Sequence, residues 1–364
     1  MRIAIVTCKS DPDYIRAKNL RTGFGGCRGV ETIVVKNTNK GLTRYAETTF
    51  RLIKTRITQK PDAYVLTFRG YEMLFLVLLI AGKKPVIYDE FINPIEWAVY
   101  EHHIIKRNGM LARLLHKYYL WLSRHCRFIL SDTQSHADYS SKLTGLRPNH
   151  YRVVPISADE KLFYPSKKPQ PRLNKNSVFR VFNYGEGMTP LYGLNIILET
   201  AFRLRYFTKI EFQLVGGSAE AKALAEKTKA RGANIKYRDE IKSAQLPRAI
   251  RRADLALGGP FGNSVQAKMV VTGKTAQFLA TGIPTIVGKN KVSTMFIDRV
   301  NSLVVTQASS QALAKQILWA YENRSSLKSI GRKGHGLYKK QFSNKVLIEK
   351  SQEIVDQLGS SKKI

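Results

Sequence analysis

The chain has 364 residues, of which 43% are hydrophobic and 24% charged. This composition excludes a disordered or fibrous protein and suits two domains better than one core. Its 60 Lys and Arg against 27 Asp and Glu leave a formal charge of +33, so its surface must attract anions such as nucleic acid, anionic lipid or phosphorylated substrates.

The opening MRIAIVTC reads as a buried strand and lacks the features of a signal peptide. The longest apolar run, 73–81, falls short of the ~20 residues that span a bilayer, so no transmembrane segment is expected. Cys8, Cys27 and Cys126 are odd in number and widely spaced, which argues against a disulfide framework or a metal cluster and for a reducing compartment.

In chain order, β-rich runs at 3–6, 32–35, 63–67, 85–88, 128–131 and 152–155 alternate with helical stretches, notably 42–59, 71–81, 110–126 and 136–144. Residues 155–178 break the alternation, and their Pro- and Lys-rich core reads as a linker. The pattern then restarts. Strands fit 179–183, 211–215, 235–237, 255–257, 285–287 and 303–305; helices fit 191–205, 219–229, 244–251, 274–280 and 311–323. The last forty residues read as helix with a polar tail. The expected fold class is α/β: two Rossmann-like domains with parallel sheets facing a cleft, spanning 1–165 and 179–340. A linker over 166–178 joins them, and a C-terminal helix and tail fill 341–364.

Several segments carry a family likeness in the right order. The run 153-VVPISADEKLFYP-165 resembles V-P-x-G-x-D-x-x-x-F-x-P, with Ser157 in the place of Gly. Phe182-Asn-Tyr-Gly-Glu-Gly187 is similar to a first strand and its glycine-rich turn, and 212-FQLVGG-217 to L-x-I-V-G-x-G. Residues 273-GKTAQFLATGIPTI-286 resemble N-K-x-x-E-x-x-A-x-G-x-P-V-I, and 297-IDRVNSLVV-305 resembles I-x-D-G-x-N-G-L-L-V. Together these resemble the GT-B glycosyltransferases, specifically the retaining, nucleotide-sugar-dependent group called family 4. The likeness runs from about residue 63 to 305.

The resemblance implies a hexosyltransferase-like enzyme whose second domain binds a nucleoside-diphosphate sugar as substrate, with no cofactor and no metal. Donor-binding positions are then Gly185, Glu186 and Gly187 in the turn, Gly216 after the next strand, and Gly262, Lys274 and Gln277 in the segment 262–284. Lys274, at the start of a helix, can supply a cation beside the helix dipole. Two glutamates that the family carries eight positions apart fall here on Met269 and Gln277. Family-type basic residues near the turn are replaced by Glu186 and Tyr192.

In the first half, Asp89 and Glu90 end a buried strand and His103 follows, so all three are candidates to orient or deprotonate an acceptor. Arg69 and Gly70 follow another strand and are candidates to touch the acceptor. Each of these acids and histidines equally fits a capping or surface role.

The stretch 110–126 repeats Leu111, Leu114, Leu115, Tyr118 and Leu122 at helical spacing. Arg113, Lys117 and Arg124 share the opposite stripe, with Trp121 nearby. The helix at 42–59 adds Arg44, Arg51, Lys54 and Arg56 against Glu47. Two basic amphipathic helices suit a protein on an anionic membrane surface, cytoplasmic at the inner face, with a lipid-linked or cell-envelope glycan acceptor. Three alternatives remain: a nucleotide-sugar epimerase of the same fold, an inactive sugar-nucleotide binder, and a nucleic-acid binder. The last lacks any recognisable motif, and no nucleic-acid partner is expected.

Overall fold

A computed structural model describes residues 1–68, 70–166, 177–185, 191–242 and 244–360. By its internal contacts the chain divides into two units, one of residues 1–157 and 344–364, the other of residues 158–343. The segment expected as a separate C-terminal helix therefore belongs with the first unit.

The first unit runs β1 (Arg2–Thr7), α1 (Ile15–Gly25), β2 (Glu31–Lys36), α2 (Thr43–Thr58), β3 (Ala63–Leu66) and α3 (Leu74–Ala81). It continues with β4 (Val86–Asp89), α4 (Met110–Arg124), β5 (Phe128–Ser131), α5 (Gln134–Thr144) and β6 (Tyr151–Val153). The six strands are all parallel in the order β2-β1-β3-β4-β5-β6. Sheets of this kind are covered on both faces, so their strands read as continuous apolar runs. In β1, Ala4 and Val6 enter one core with Leu52, Leu74, Val77 and Leu122 of α2, α3 and α4. Ile3 and Ile5 enter a second core, with Leu20 and Phe24 of α1 and with Leu347 and Ile354. Right-handed crossovers put α2, α3 and α4 on one face and α1 on the other. The terminal helix α12 (Asn344–Ser360), numbered last in chain order, covers α1.

The second unit holds β7 (Phe179–Tyr184), α6 (Leu194–Arg203), β8 (Ile210–Val215), α7 (Ala219–Ala230), β9 (Ile235–Arg238), α8 (Leu246–Arg251), β10 (Leu255–Leu257), α9 (Gly273–Thr281), β11 (Thr285–Lys289), β12 (Leu303–Thr306), α10 (Ser310–Glu322) and α11 (Arg324–Gln341). Its parallel sheet has the order β12-β11-β10-β7-β8-β9. All twelve expected strands are present, within two residues at their ends. Most of the expected linker lies outside the described residues.

The outward stripe of α4 departs from the expectation. Ala112, Tyr119, Leu122 and Ser123 face the core, whereas Leu111, Leu114, Tyr118 and Trp121 are exposed. The apolar stripe picked out by spacing is thus largely a surface feature. The buried side mixes the small Ala112 and Ser123 with the larger Tyr119 and Leu122.

Candidate functional site

In the second unit the strand order reverses between β7 and β10, which lie side by side although α6 to α8 separate them in sequence. Ligands of open α/β sheets gather beyond the carboxyl ends of strands at such a reversal. Two hydrogen bonds fix the strand ends there. The Asn183 side-chain amide donates to the Leu257 carbonyl at 2.8 Å. Thr272, which caps α9 by accepting from the Thr275 N–H, donates its hydroxyl to the Gly258 carbonyl at 2.7 Å.

The cap aims the positive end of α9 at the opening. Lys274, in the first turn of α9, is 9% exposed. Its Nζ lies 3.8 Å from the centroid of the Tyr192 ring and 6.0 Å from that of Tyr184. Gly185, with φ at 129°, runs alongside, and a Cβ there would stand 3.0 Å from Lys274 Nζ. Only glycine gives the lysine room and adopts that backbone without strain.

The opening is walled by Tyr192, Leu194, Leu214 and Tyr237, and among its described lining residues Lys274 is the only charged one. A cation held among aromatic rings at a helix start, with little water around it, is suited to an anion such as a diphosphate. Gln277 lies one helical turn further along α9, where its side-chain oxygen accepts from the Tyr184 hydroxyl. Gly216 (φ 74°) closes another side, and its carbonyl accepts from the Tyr237 hydroxyl at 2.9 Å.

The structure therefore groups Gly185, Gly216, Lys274 and, through Tyr184, Gln277. Gly262 stands apart from the lining: its N–H donates to the Leu191 carbonyl, 3.1 Å away, and holds the turn before α6. Met269 is buried like an ordinary core side chain. Glu186 and Gly187 lie outside the described residues. The reading of residue types missed Tyr237 and the cap Thr272. A Thr two residues before Lys274 was a legible capping signal; nothing local marked Tyr237.

The first unit places its candidates differently. Arg16 is fully buried, and its Nε and Nη2 donate to Asp89 Oδ1 at 3.1 and 2.9 Å. Its Nη1 donates to the Val154 carbonyl at 2.5 Å. Asp89 also accepts from the Phe68 N–H. Expected to face an acceptor, this carboxylate is instead the counter-ion of a buried guanidinium that ties α1 to β4 and to the segment after β6.

Glu90 is equally buried. It accepts from the Tyr119 hydroxyl and from the Asn93 amide, and its other oxygen is 3.9 Å from His136 Nε2. Burial pushes its carboxyl up, against the pull of His136. The His136 Nδ1 pairs with Asp132 at 2.8 Å. His103 is exposed, with a left-handed backbone (φ 51°). Gly70 is buried at the head of a 3-10 turn after β3, and Arg69 lies outside the described residues. Among the described residues no cluster of three His, Cys, Asp or Glu is arranged to hold a metal, and no helix is long and apolar enough to cross a membrane.

Residues 195–351 match the family model described as "Glycosyl transferase-like". No curated protein matches the sequence. Among solved structures, the chain is similar to Anabaena Alr3699/HepE in complex with UDP-glucose, with a TM-score of 0.73 at 13% identity over 98% of this chain and 100% of that one. It is similar to sucrose-phosphate synthase from Thermosynechococcus elongatus, with a TM-score of 0.77 at 12% identity over 99% and 100%. A glycosyltransferase from Rickettsia africae gives 0.66 at 11% over 98% of each chain. With two six-stranded parallel sheets, the chain has the GT-B fold of these proteins, and its residues 195–351 match a glycosyl transferase-like domain.

Proposed function

We propose that the chain transfers a sugar from a nucleoside-diphosphate donor, held by its second unit, to a lipid-linked or cell-envelope glycan acceptor at an anionic membrane surface. The observation that carries the donor half is Lys274, a nearly buried cation at the start of α9, boxed by Tyr192 and Gly185 at the strand-order reversal. The anion-binding chemistry of that position fits the diphosphate, and Gln277 and the Tyr184 hydroxyl offer partners for ribose hydroxyls. The Anabaena protein of the same fold is bound to UDP-glucose, which supports this class of donor. In such a site the Lys274 ammonium and the end of α9 stabilise the charge that develops on the leaving diphosphate as the bond to the sugar breaks.

The membrane half rests on one face of the first unit. On α2, Phe50, Ile53 and Ile57 are exposed; on α3, Phe75 and Leu79; on α4, Leu111, Leu114, Tyr118 and Trp121. α2 packs beside α3, and the Phe75 and Trp121 rings lie 6.3 Å apart, so these side chains form one continuous apolar band. Exposed Arg51, Lys54, Arg113, Lys117 and Arg124 flank it. An apolar band edged with cations fits the interface of an anionic bilayer, where each cation contributes about 1 kcal/mol. This reading puts the protein on the inner face of the cell membrane.

A second reading, a sugar-nucleotide binder without transfer, draws on Met269 and Gln277 at the two family glutamate positions. Calorimetric titration with a panel of nucleoside diphosphates tests the donor site. Release of free sugar from the matching nucleotide sugar, with no acceptor added, separates an active enzyme from a binder.

A further inference from the structure

Between β4 and α4 the chain forms a π-helical turn, Glu96–Glu101, a rare form that recurs at functional positions. Glu96, its first residue, is fully buried, and neither of its carboxylate oxygens has a hydrogen-bond partner among the described residues. An unpaired buried carboxylate is tolerable only as the neutral acid, because the ion would lose its hydration with nothing in return.

The groups around it sharpen the conflict. Glu90 stands at the end of β4, bonded by Tyr119 of α4. His136 of α5 pairs with Asp132, and Tyr139 follows on the same helix. Glu101 and Tyr100 sit on the turn itself, with the Arg107 guanidinium 5.1 Å from the Tyr100 ring centroid. Burial first, then the Glu101 and Glu90 charges, push the Glu96 carboxyl up to about 7, while His136 pulls it down.

We propose that this turn is a proton-operated switch: it keeps its π-helical form while Glu96 holds its proton and opens when that proton is lost. The direction follows from linkage. A carboxyl released to solvent titrates near 4.5 and the buried one near 7, so in between the closed turn binds a proton that the open turn does not. Raising the pH from 4.5 therefore favours opening by about tenfold per unit, and the effect levels off above about 7. The turn follows the carboxyl end of β4, so the switch reshapes the strand-end rim of the first unit. This inference does not depend on the proposed reaction.

Hydrogen exchange of the full-length protein, read by mass spectrometry on peptides covering 96–101 between pH 4.5 and 8.5 and corrected for intrinsic exchange, tests it. The wild type should lose protection by on the order of a hundredfold up to about pH 7 and then stay level. Glu96→Gln should give a flat profile. Glu101→Gln removes a like charge and should move the break to lower pH, whereas His136→Gln should move it higher. A flat wild-type profile, a pH dependence that persists in Glu96→Gln, or a break that stays put in both neighbour variants would overturn the switch.

Discussion

The Lys274 ammonium rests 3.8 Å from the Tyr192 ring centroid, with the backbone of Gly185 on its other side. The lysine is 9% exposed. The Tyr192 ring face attracts the ammonium, and the start of α9 adds positive potential at the same place. Replacing Lys274 by Ala should weaken nucleoside-diphosphate binding by about 10- to 100-fold, since a charge-assisted bond contributes about 1.5–3 kcal/mol. Isothermal titration reads the change directly, and equal affinity in the variant would remove Lys274 from the site.

Gly185→Ala should act through the same lysine. The added methyl would stand 3.0 Å from Nζ on a backbone at φ 129°, so the lysine must move and the turn must strain. A stability loss of about 1–3 kcal/mol is expected, along with weaker nucleotide binding. Thermal melting with and without nucleotide separates the two effects.

Gln277 accepts from the Tyr184 hydroxyl. Gln277→Glu keeps that acceptor and adds charge, so nucleotide affinity should hold or improve, since a charged partner contributes about 1.5–3 kcal/mol against about 0.5–1.5 for a neutral one. Titration of the variant against wild type checks the sign. A clear loss would mean that the amide N–H of Gln277 is the group that binds.

Asp89→Ala should leave the buried Arg16 charge uncompensated and destabilise the protein by about 3–5 kcal/mol. Adding Arg16→Met should recover much of that loss, because two apolar neighbours need no counter-ion. Denaturant unfolding of the single and double variants measures both. An acceptor-side catalytic role would instead show as lost transfer at unchanged stability.

The band on α2, α3 and α4 predicts lipid dependence. Flotation with anionic vesicles should carry the protein up, and neutral vesicles or high salt should reduce this. Trp121→Ser with Leu114→Ser should weaken binding without unfolding the unit, since both side chains are exposed. Equal flotation on neutral and anionic vesicles would argue against the surface.

Much of the fold was legible because buried parallel strands such as AYVL at 63–66 leave continuous apolar runs between helices. Helix α1 was harder to see. Its sequence, IRAKNLRTGFG, buries Arg16 and Asn19 beside Ala17, Leu20 and Phe24, so polar residues interrupt the apolar periodicity. The π-helical turn at 96–101 left no mark in the sequence either.

The proposed donor site was partly legible in the sequence. Lys274 and Gly185 sit at element ends that strand and helix boundaries already expose. Asp89 and Glu90 were placed correctly at the end of β4 but read for the wrong partners. That a carboxylate at a strand end is matched by an arginine 73 residues away is a tertiary fact with no local trace.

The measurement that bears most directly on the central claim is titration of the wild-type chain and Lys274→Ala against a panel of nucleoside diphosphates. The account predicts that at least one nucleotide binds the wild type and that the variant loses most of that affinity. If no nucleotide binds, or if binding does not change without the lysine, the second unit is not the donor site proposed for it.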